Sequence, residues 1–128
     1  MKKKSECCNA PIKKFNKTKA KRKLDKLFSL KIRSYGKCLL AKGFDKVHCG
    51  GQLQTAHIIG RSNLRLRWDL GNAWCICAGH HIYYTYHPED WRDLLTAHYP
   101  HYKWLLEHRN ETIKFNEQYY LEKLKELT

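Results

Sequence analysis

The chain has 128 residues, enough for one small domain, and a formal net charge of +13 at pH 7. No stretch reaches the roughly 18 apolar residues of a membrane span, and the basic N-terminus lacks the apolar core of a signal peptide, so we expect a cytoplasmic protein. In a reducing cytosol the six cysteines favour metal binding over disulfides, and the charge predicts a nucleic-acid partner.

The basic residues are concentrated at the N-terminal end of the chain. Residues 1–33 contain thirteen Lys and Arg against two acidic residues, so 13 − 2 = +11 of the net charge lies there. We predict a flexible basic segment over residues 1–19 and a helix over residues 20–34, because apolar residues recur there at helical spacing from Leu24 to Ile32. Phosphate contacts are expected from the basic residues that begin this helix, Lys21, Arg22 and Lys23.

Downstream of this helix the pattern predicts short strands and helices. Residues 37–52 contain three glycines and predict a loop or short hairpin, and residues 53–58 predict a strand that places His57 at its end. A second strand over 73–76 precedes predicted helices over 78–86, from Pro88 to Pro100, and over 102–108 and 112–127. The expected fold is α+β, one domain over residues 20–128 with its core at about 36–87 and C-terminal helices at about 88–127.

An arginine-rich loop over residues 60–71 joins the two predicted strands. Its cations, Arg61, Arg65 and Arg67, alternate with apolar residues. Because loop arginines near a strand end are well placed to reach a phosphate backbone, we predict that these three contact nucleic acid.

Four residues have the spacing of a structural zinc site. Cys77 and His80 form a C-x2-H pair at a strand-to-helix turn, and Cys38 and Cys49 lie upstream with ten residues between them. Three thiolates and one imidazole fill a tetrahedral zinc shell with no open position, and such an ion would help a small domain to fold. The rival ligands are Cys75, on the same side of its strand as Cys77, and more weakly His48; Cys7 and Cys8 stay unassigned.

Three further polar residues are placed around this cluster at a recognisable spacing. His57 lies in the string Leu-Gln-Thr-Ala-His-Ile-Ile, Asn72 follows fifteen residues later, and His81 follows nine residues after that, directly after Cys77-Ala-Gly-His80. This arrangement resembles the HNH (ββα-metal) endonuclease family over roughly residues 24–90. The lead-in at residues 24–33 and the Arg-Trp-Asp string at residues 67–69 are similar to phage members, nearest to the Rap (NinG-type) recombination nucleases.

The resemblance implies a ββα-metal core with a treble-clef-like zinc site and the activity of a metal-dependent DNA endonuclease. His57 would act as the general base on water, since an imidazole with a pKa near 6.5 can accept a proton at neutral pH. His81 would hold a divalent ion, Mg²⁺ or another such as Mn²⁺ or Ni²⁺, that stabilises the scissile phosphate. Asn72 would either ligate that ion or fix the loop, and the products would be a 5′-phosphate and a 3′-hydroxyl.

One position departs from the family pattern. The family usually has Asp or His as a metal ligand immediately before the base, and this chain has Ala56. The catalytic ion would then depend on His81, Asn72, water and substrate phosphate, with Asp69 as a possible substitute. His80 and His81 could also exchange their structural and catalytic roles.

The alternatives to this nuclease are a zinc-stapled DNA-binding module without catalysis, an RNA-binding accessory protein and a branched-DNA junction nuclease of phage recombination. The expected location is a bacterial or phage-infected host cell. Oligomeric state stays open, with a homodimer as one alternative.

Overall fold

The computed structural model describes residues 14–128, and within them the fold is α+β, as predicted. The predictions for residues 1–13, including Cys7 and Cys8, lie outside this range. The elements, in chain order, are α1 (Lys17–Arg33), β1 (Leu53–His57), β2 (Ala73–Cys77), α2 (Ala78–Tyr86), α3 (Pro88–His98), α4 (Tyr102–His108) and α5 (Glu117–Leu127). Short 3-10 turns at Leu39–Lys42 and Leu70–Asn72 precede the two strands. Among the described residues, no helix has both the length and the apolar character needed to cross a bilayer.

The first helix starts earlier than predicted because Asn16 caps it. The side-chain oxygen of Asn16 accepts a hydrogen bond from the backbone N–H of Lys19 at 3.0 Å, and the helix begins at Lys17. The flexible segment predicted over residues 1–19 is therefore wrong for its last three residues. Ala20, Leu24 and Phe28 form the buried face of α1.

The two strands form an antiparallel hairpin with a long connection. The register pairs Leu53 with Cys77 and His57 with Ala73, so residues 58–72 form a loop at the end of β1 where His57 lies. All five residues of β2 are buried. β2 is therefore the inner strand of the hairpin, whereas β1 is half-buried except at Ala56. The His57 end of β1 lies against Phe28 of α1 and the carbonyl of Arg67 in this loop.

Two apolar clusters cover the hairpin. One contains Ile76 and Leu95 and packs the strands against α2 and α3. The other contains Leu24, Trp68 and Tyr120 and packs α1 against α5. The last helix begins at Glu117 rather than at residue 112 as predicted, because the side chain of Asn116 accepts from the Tyr119 N–H at 3.1 Å and caps it there.

Candidate metal centre and histidine cleft

The four predicted zinc ligands come together in the structure. Ligand atoms of Cys38, Cys49, Cys77 and His80 all lie within 4.8 Å of one another. The Nδ1 atom of His80 is 3.1 Å from the sulfur of Cys77 and 3.7 Å from each of the other two sulfurs. A zinc ion with ordinary bond lengths at tetrahedral angles separates its nitrogen and sulfur ligands by about 3.5 Å, so this cluster could hold such an ion.

The loop before β1 reaches the cluster because it packs closely on the start of α2. Gly79 donates its N–H to the carbonyl of Gly50 at 2.9 Å, and the Gly50 N–H donates to the sulfur of Cys77 at 3.4 Å. Gly51 has φ +81°, and a β-carbon there would lie 2.8 Å from the side chain of Ala78. Glycine is therefore required at position 51 for both its conformation and its close approach.

An acidic residue orients the histidine of this cluster. Asp45 accepts a hydrogen bond from Nε2 of His80 at 3.2 Å, which leaves Nδ1 as the lone-pair nitrogen facing the sulfurs. Tyr84 donates its hydroxyl to the other oxygen of the same carboxylate, and this contact together with burial raises the pKa of that tyrosine. Sequence reasoning missed Asp45, although it is the only acidic residue between Cys38 and Cys49.

The environment of Cys77 favours its thiolate. Burial alone would raise the pKa of this thiol, but the backbone N–H groups of His80 and Gly50 and the His80 ring together lower it to about 6. Cys77 is the N-cap residue of α2, so its sulfur lies at the positive end of a helix. The exposed Cys49 has a pKa raised to about 11, with desolvation as the first cause and the neighbouring thiols Cys38 and Cys77 adding to it.

The two rival ligands stay outside the cluster. Cys75 is buried in β2 opposite Thr55, and His48 is exposed; neither belongs to the group of four. Among residues 14–128, no other cluster of three or more His, Cys, Asp or Glu side chains is close enough to share an ion. Within the described residues, these four side chains are thus the one group that could supply all four ligands of a metal ion.

His57 and His81 line one cleft beside this cluster. The cleft has a volume of about 140 Å³ and is completed by Ala56, Ile76, Tyr84, Thr85 and Trp91. Both histidines are half-buried, and burial is the first cause that lowers the pKa of each imidazole below its usual value. Burial therefore favours the neutral form of both rings.

Hydrogen bonds assign the tautomer of each cleft histidine. Nε2 of His57 donates to the carbonyl oxygen of Arg67 at 3.0 Å, and the ring stacks on Phe28 with centroids 5.2 Å apart. Nδ1 of His81 lies 2.7 Å from the amide oxygen of Gln54 and donates to it. Because a carbonyl oxygen can only accept, the lone pairs are on Nδ1 of His57 and Nε2 of His81. Gln54 is a second residue that sequence reasoning missed.

Asn72 fixes the loop and does not line the cleft. It is fully buried; its amide oxygen accepts from the Ile59 N–H at 2.7 Å, and its amide nitrogen donates to the carbonyls of Ile59 at 3.0 Å and Leu66 at 2.9 Å. Of the two roles predicted for Asn72, this geometry fits loop fixation, because both atoms of its side-chain amide are hydrogen-bonded within the loop. Asp69 is used locally as well, since its carboxylate accepts from the Gly71 N–H at 2.8 Å.

The predicted phosphate-binding arginines are engaged within the protein. Asp25 of α1 pairs with Arg61 at 2.8 Å and with Arg67 at 2.7 Å, while Glu111 pairs with Arg65 at 2.9 Å. The side chain of Arg67 is only 16% exposed, whereas that of Arg61 is 59% exposed. The prediction that these three arginines contact nucleic acid stays a prediction, and each arginine already has an acidic partner distant in sequence.

Exposed cations instead follow the outer face of α1. Within this helix, Arg22 and Lys23 are exposed and the predicted Lys21 is half-buried. At 3.6 residues per turn, five exposed cations fall within an arc of about 100°. We call these residues the α1 stripe: Lys19, Arg22, Lys23, Lys26 and Arg33.

No protein-family model, curated protein or solved structure matches the chain. The site combines a Cys3His cluster that could hold a metal ion with a cleft shared by two neutral histidines.

Proposed function

We propose that the protein is a metal-dependent DNA endonuclease of the HNH (ββα-metal) type, with a resemblance to the phage Rap recombination nucleases. The observation that carries the proposal is the cleft in which His57 and His81 each have one ring nitrogen bonded to the protein and the other available. The order β1–β2–α2, with a metal-binding cluster at the hairpin base, fits the ββα-metal core and its structural zinc.

His57 is the proposed general base. Its Nε2–H is held by the Arg67 carbonyl, so Nδ1 can accept a proton from a water molecule that attacks the phosphorus atom. The lowered pKa keeps the ring neutral, which is the protonation state that a base requires. The new bond joins the water oxygen to phosphorus and the bond to the 3′ oxygen breaks. The 3′ oxygen takes a proton from solvent water to give the 3′-hydroxyl, and the imidazolium afterwards returns its proton to solvent.

His81 is the proposed protein ligand of a catalytic divalent ion through Nε2. When bound, such an ion supplies Lewis-acid stabilisation of the negative charge on the phosphate and the leaving oxygen. Since position 56 is a buried alanine and offers no ligand atom, the other ligands of the ion would be water and phosphate oxygens. A single imidazole suits Mn²⁺ or Ni²⁺ better than Mg²⁺, which prefers oxygen ligands, so we favour the former pair over the Mg²⁺ expected first.

The α1 stripe is the proposed DNA-backbone contact. From residue 19 to residue 33 the helix rises about 21 Å, which matches roughly six base-pair steps of 3.4 Å. Arg61, the exposed member of the loop, would add a contact at the side of α1 that carries Asp25. This surface replaces the three loop arginines as the main phosphate-binding element.

The first test is cleavage by the purified, zinc-loaded protein of plasmid, linear and branched DNA with Mn²⁺, Ni²⁺ or Mg²⁺. His57→Ala should lower the cleavage rate at least about 100-fold, because a positioned base contributes on the order of 10²–10⁴-fold. The matched control is His98→Ala, an exposed residue of α3 outside the cleft, which should cut at the parent rate. Equal rates for His57→Ala and the parent would exclude the proposed mechanism.

The second candidate is a zinc-stapled DNA-binding module without catalysis, favoured by the alanine at position 56. It predicts salt-sensitive DNA binding and no cleavage with any of the three ions. Metal-dependent nicking that His57→Ala abolishes would exclude it. Preferential binding of structured RNA over duplex DNA in a competition assay would exclude both.

A further inference from the structure

We infer that Asp25 is the positioning residue of His57, holding the peptide group that orients the imidazole and balancing the cations beside it. The inference rests on the proposed role of His57 as a base. Asp25 lies on α1, three residues before Phe28, whose ring stacks on His57. No element of the sequence pattern linked Asp25 to the cleft.

Four hydrogen bonds converge on this one carboxylate. Oδ1 accepts from Nε of Arg67 at 3.1 Å and from the indole N–H of Trp68 at 2.9 Å. Oδ2 accepts from Nη2 of Arg67 at 2.7 Å and from Nη2 of Arg61 at 2.8 Å. The contact with Arg67 is thus bidentate, the strongest geometry for a carboxylate–guanidinium pair.

These contacts fix the acceptor that holds His57. The carbonyl that accepts from His57 belongs to the peptide bond between Arg67 and Trp68. Asp25 binds the side chains on both sides of that peptide bond. Rotation of this carbonyl would therefore require breaking contacts with Asp25. The carboxylate thus controls the orientation of the His57 ring indirectly, through the peptide group that binds it.

The same carboxylate sets the electrostatics around the ring. The charged or titratable groups that face His57 are Asp25 from α1, Arg61 and Arg67 from the loop, and His81 across the cleft. The arginines disfavour the imidazolium and Asp25 favours it. Without Asp25, two guanidinium groups would act on the ring with no compensating charge.

The test compares two variants of the zinc-loaded protein that should shift the titration midpoint of His57 in opposite directions. Asp25→Asn keeps an oxygen for the Trp68 indole but removes the charge, so the titration midpoint of His57 should fall. Arg61→Gln removes an exposed cation and leaves the Asp25–Arg67 pair, so that midpoint should rise. The midpoints are measured by NMR of the imidazole Cε1–H signals, with the His57 signal assigned from its loss in His57→Gln.

Cleavage kinetics provide the second readout. Asp25→Asn should reduce the cleavage rate by up to about 100-fold at the pH optimum, as expected when a catalytic group is misplaced by about 1 Å. Asp25→Glu, which keeps the charge, should recover part of that loss. The acid limb of the pH–rate profile should shift with the NMR midpoint.

The outcomes separate this inference from the proposed function. Unchanged His57 midpoints in both variants, with only a lower melting temperature for Asp25→Asn, would leave Asp25 a structural ion pair and overturn the inference. Shifted midpoints in a protein that cleaves no DNA would uphold the positioning role and reject the nuclease. If Asp25→Asn does not fold, the sign of the Arg61→Gln shift decides the electrostatic part.

Discussion

At the scale of single residues, the three histidines of the cluster and the cleft are oriented by different hydrogen-bond acceptors. His80 of the metal-binding cluster donates to the carboxylate of Asp45, whereas His57 and His81 donate to uncharged oxygens. A carboxylate acceptor stabilises a charged or metal-bound imidazole, and an uncharged acceptor does so much less. The acceptors therefore match a ring that could hold a structural metal ion in the cluster and two neutral rings in the cleft, the proposed base His57 and the proposed ligand His81.

Gln54 offers a test of this distinction. Gln54→Ala releases the ring of His81, so cleavage should fall about 10- to 100-fold, the usual effect of removing the partner of a metal-binding histidine. The structural zinc content should stay unchanged, because Gln54 does not contact that cluster. Gln52→Ala is the matched control, an exposed side chain outside both sites. Unchanged kinetics for Gln54→Ala would argue against His81 as a ligand.

At the scale of elements, the hairpin and α2 were predictable and the supports of the long loop were not. The predicted strands over 53–58 and 73–76 and the predicted helix over 78–86 match β1, β2 and α2 within one residue at each end. The partners of the loop arginines, Asp25 and Glu111, are 36 to 46 residues away in sequence. Such long-range pairs have no local pattern, which is why the sequence did not indicate that the loop arginines are paired with acidic residues.

Two helix starts were predicted at the wrong residue although the sequence contained the signal for them. Both misplaced starts, at Lys17 and Glu117, follow an asparagine that caps the helix. Asparagine is among the preferred N-cap residues, so Asn16 and Asn116 were available in the sequence as start signals. Their neglect explains the errors of three and five residues at these two boundaries.

The metal-binding cluster can be tested as the element that joins the hairpin to its preceding loop. Cys49→Ser should abolish stoichiometric zinc binding, and because Cys49 is exposed, the loss of stability should come from the metal and not from packing. At free zinc 1,000-fold above Kd, that loss is about 4 kcal/mol. Metal analysis and thermal unfolding measure both effects.

The control for the cluster is Cys75→Ala, which removes the buried rival thiol. It should retain one zinc per chain and lose stability only through packing. Loss of zinc in Cys75→Ala with retention in Cys49→Ser would show that the ligand set is wrong.

At the scale of the whole molecule, the cations of residues 14–128 are not equally available at the surface. The loop arginines are paired with acids, while the α1 stripe makes no ion pair with an acidic residue in the described range 14–128. The composition therefore predicts a polyanion partner, but only the folded structure shows which cations have no acidic partner within this range and are available to bind one.

The α1 stripe predicts a specific salt dependence. In a His57→Ala background, the triple variant Arg22→Gln, Lys23→Gln, Lys26→Gln should reduce the slope of log K against log salt by about 2.7, or about 0.9 per phosphate contact. Lys21→Gln, on the half-buried side of α1, should change it by much less. Fluorescence anisotropy with duplex DNA at several salt concentrations measures the slopes; equal slopes for the triple variant and its parent would rule out this surface.

If the Cys3His cluster holds zinc and the cleft is the site of cleavage, as proposed, the adjacency of His80 and His81 has a consequence for how the activity arises. Consecutive residues of α2 point about 100° apart, so one ring enters the metal-binding cluster and the next enters the cleft. A newly made chain that has not acquired zinc lacks the anchor that sets this helix. On the proposed function we expect such chains not to cleave DNA, so that the zinc supply of the producing cell determines how much of the synthesised protein becomes competent.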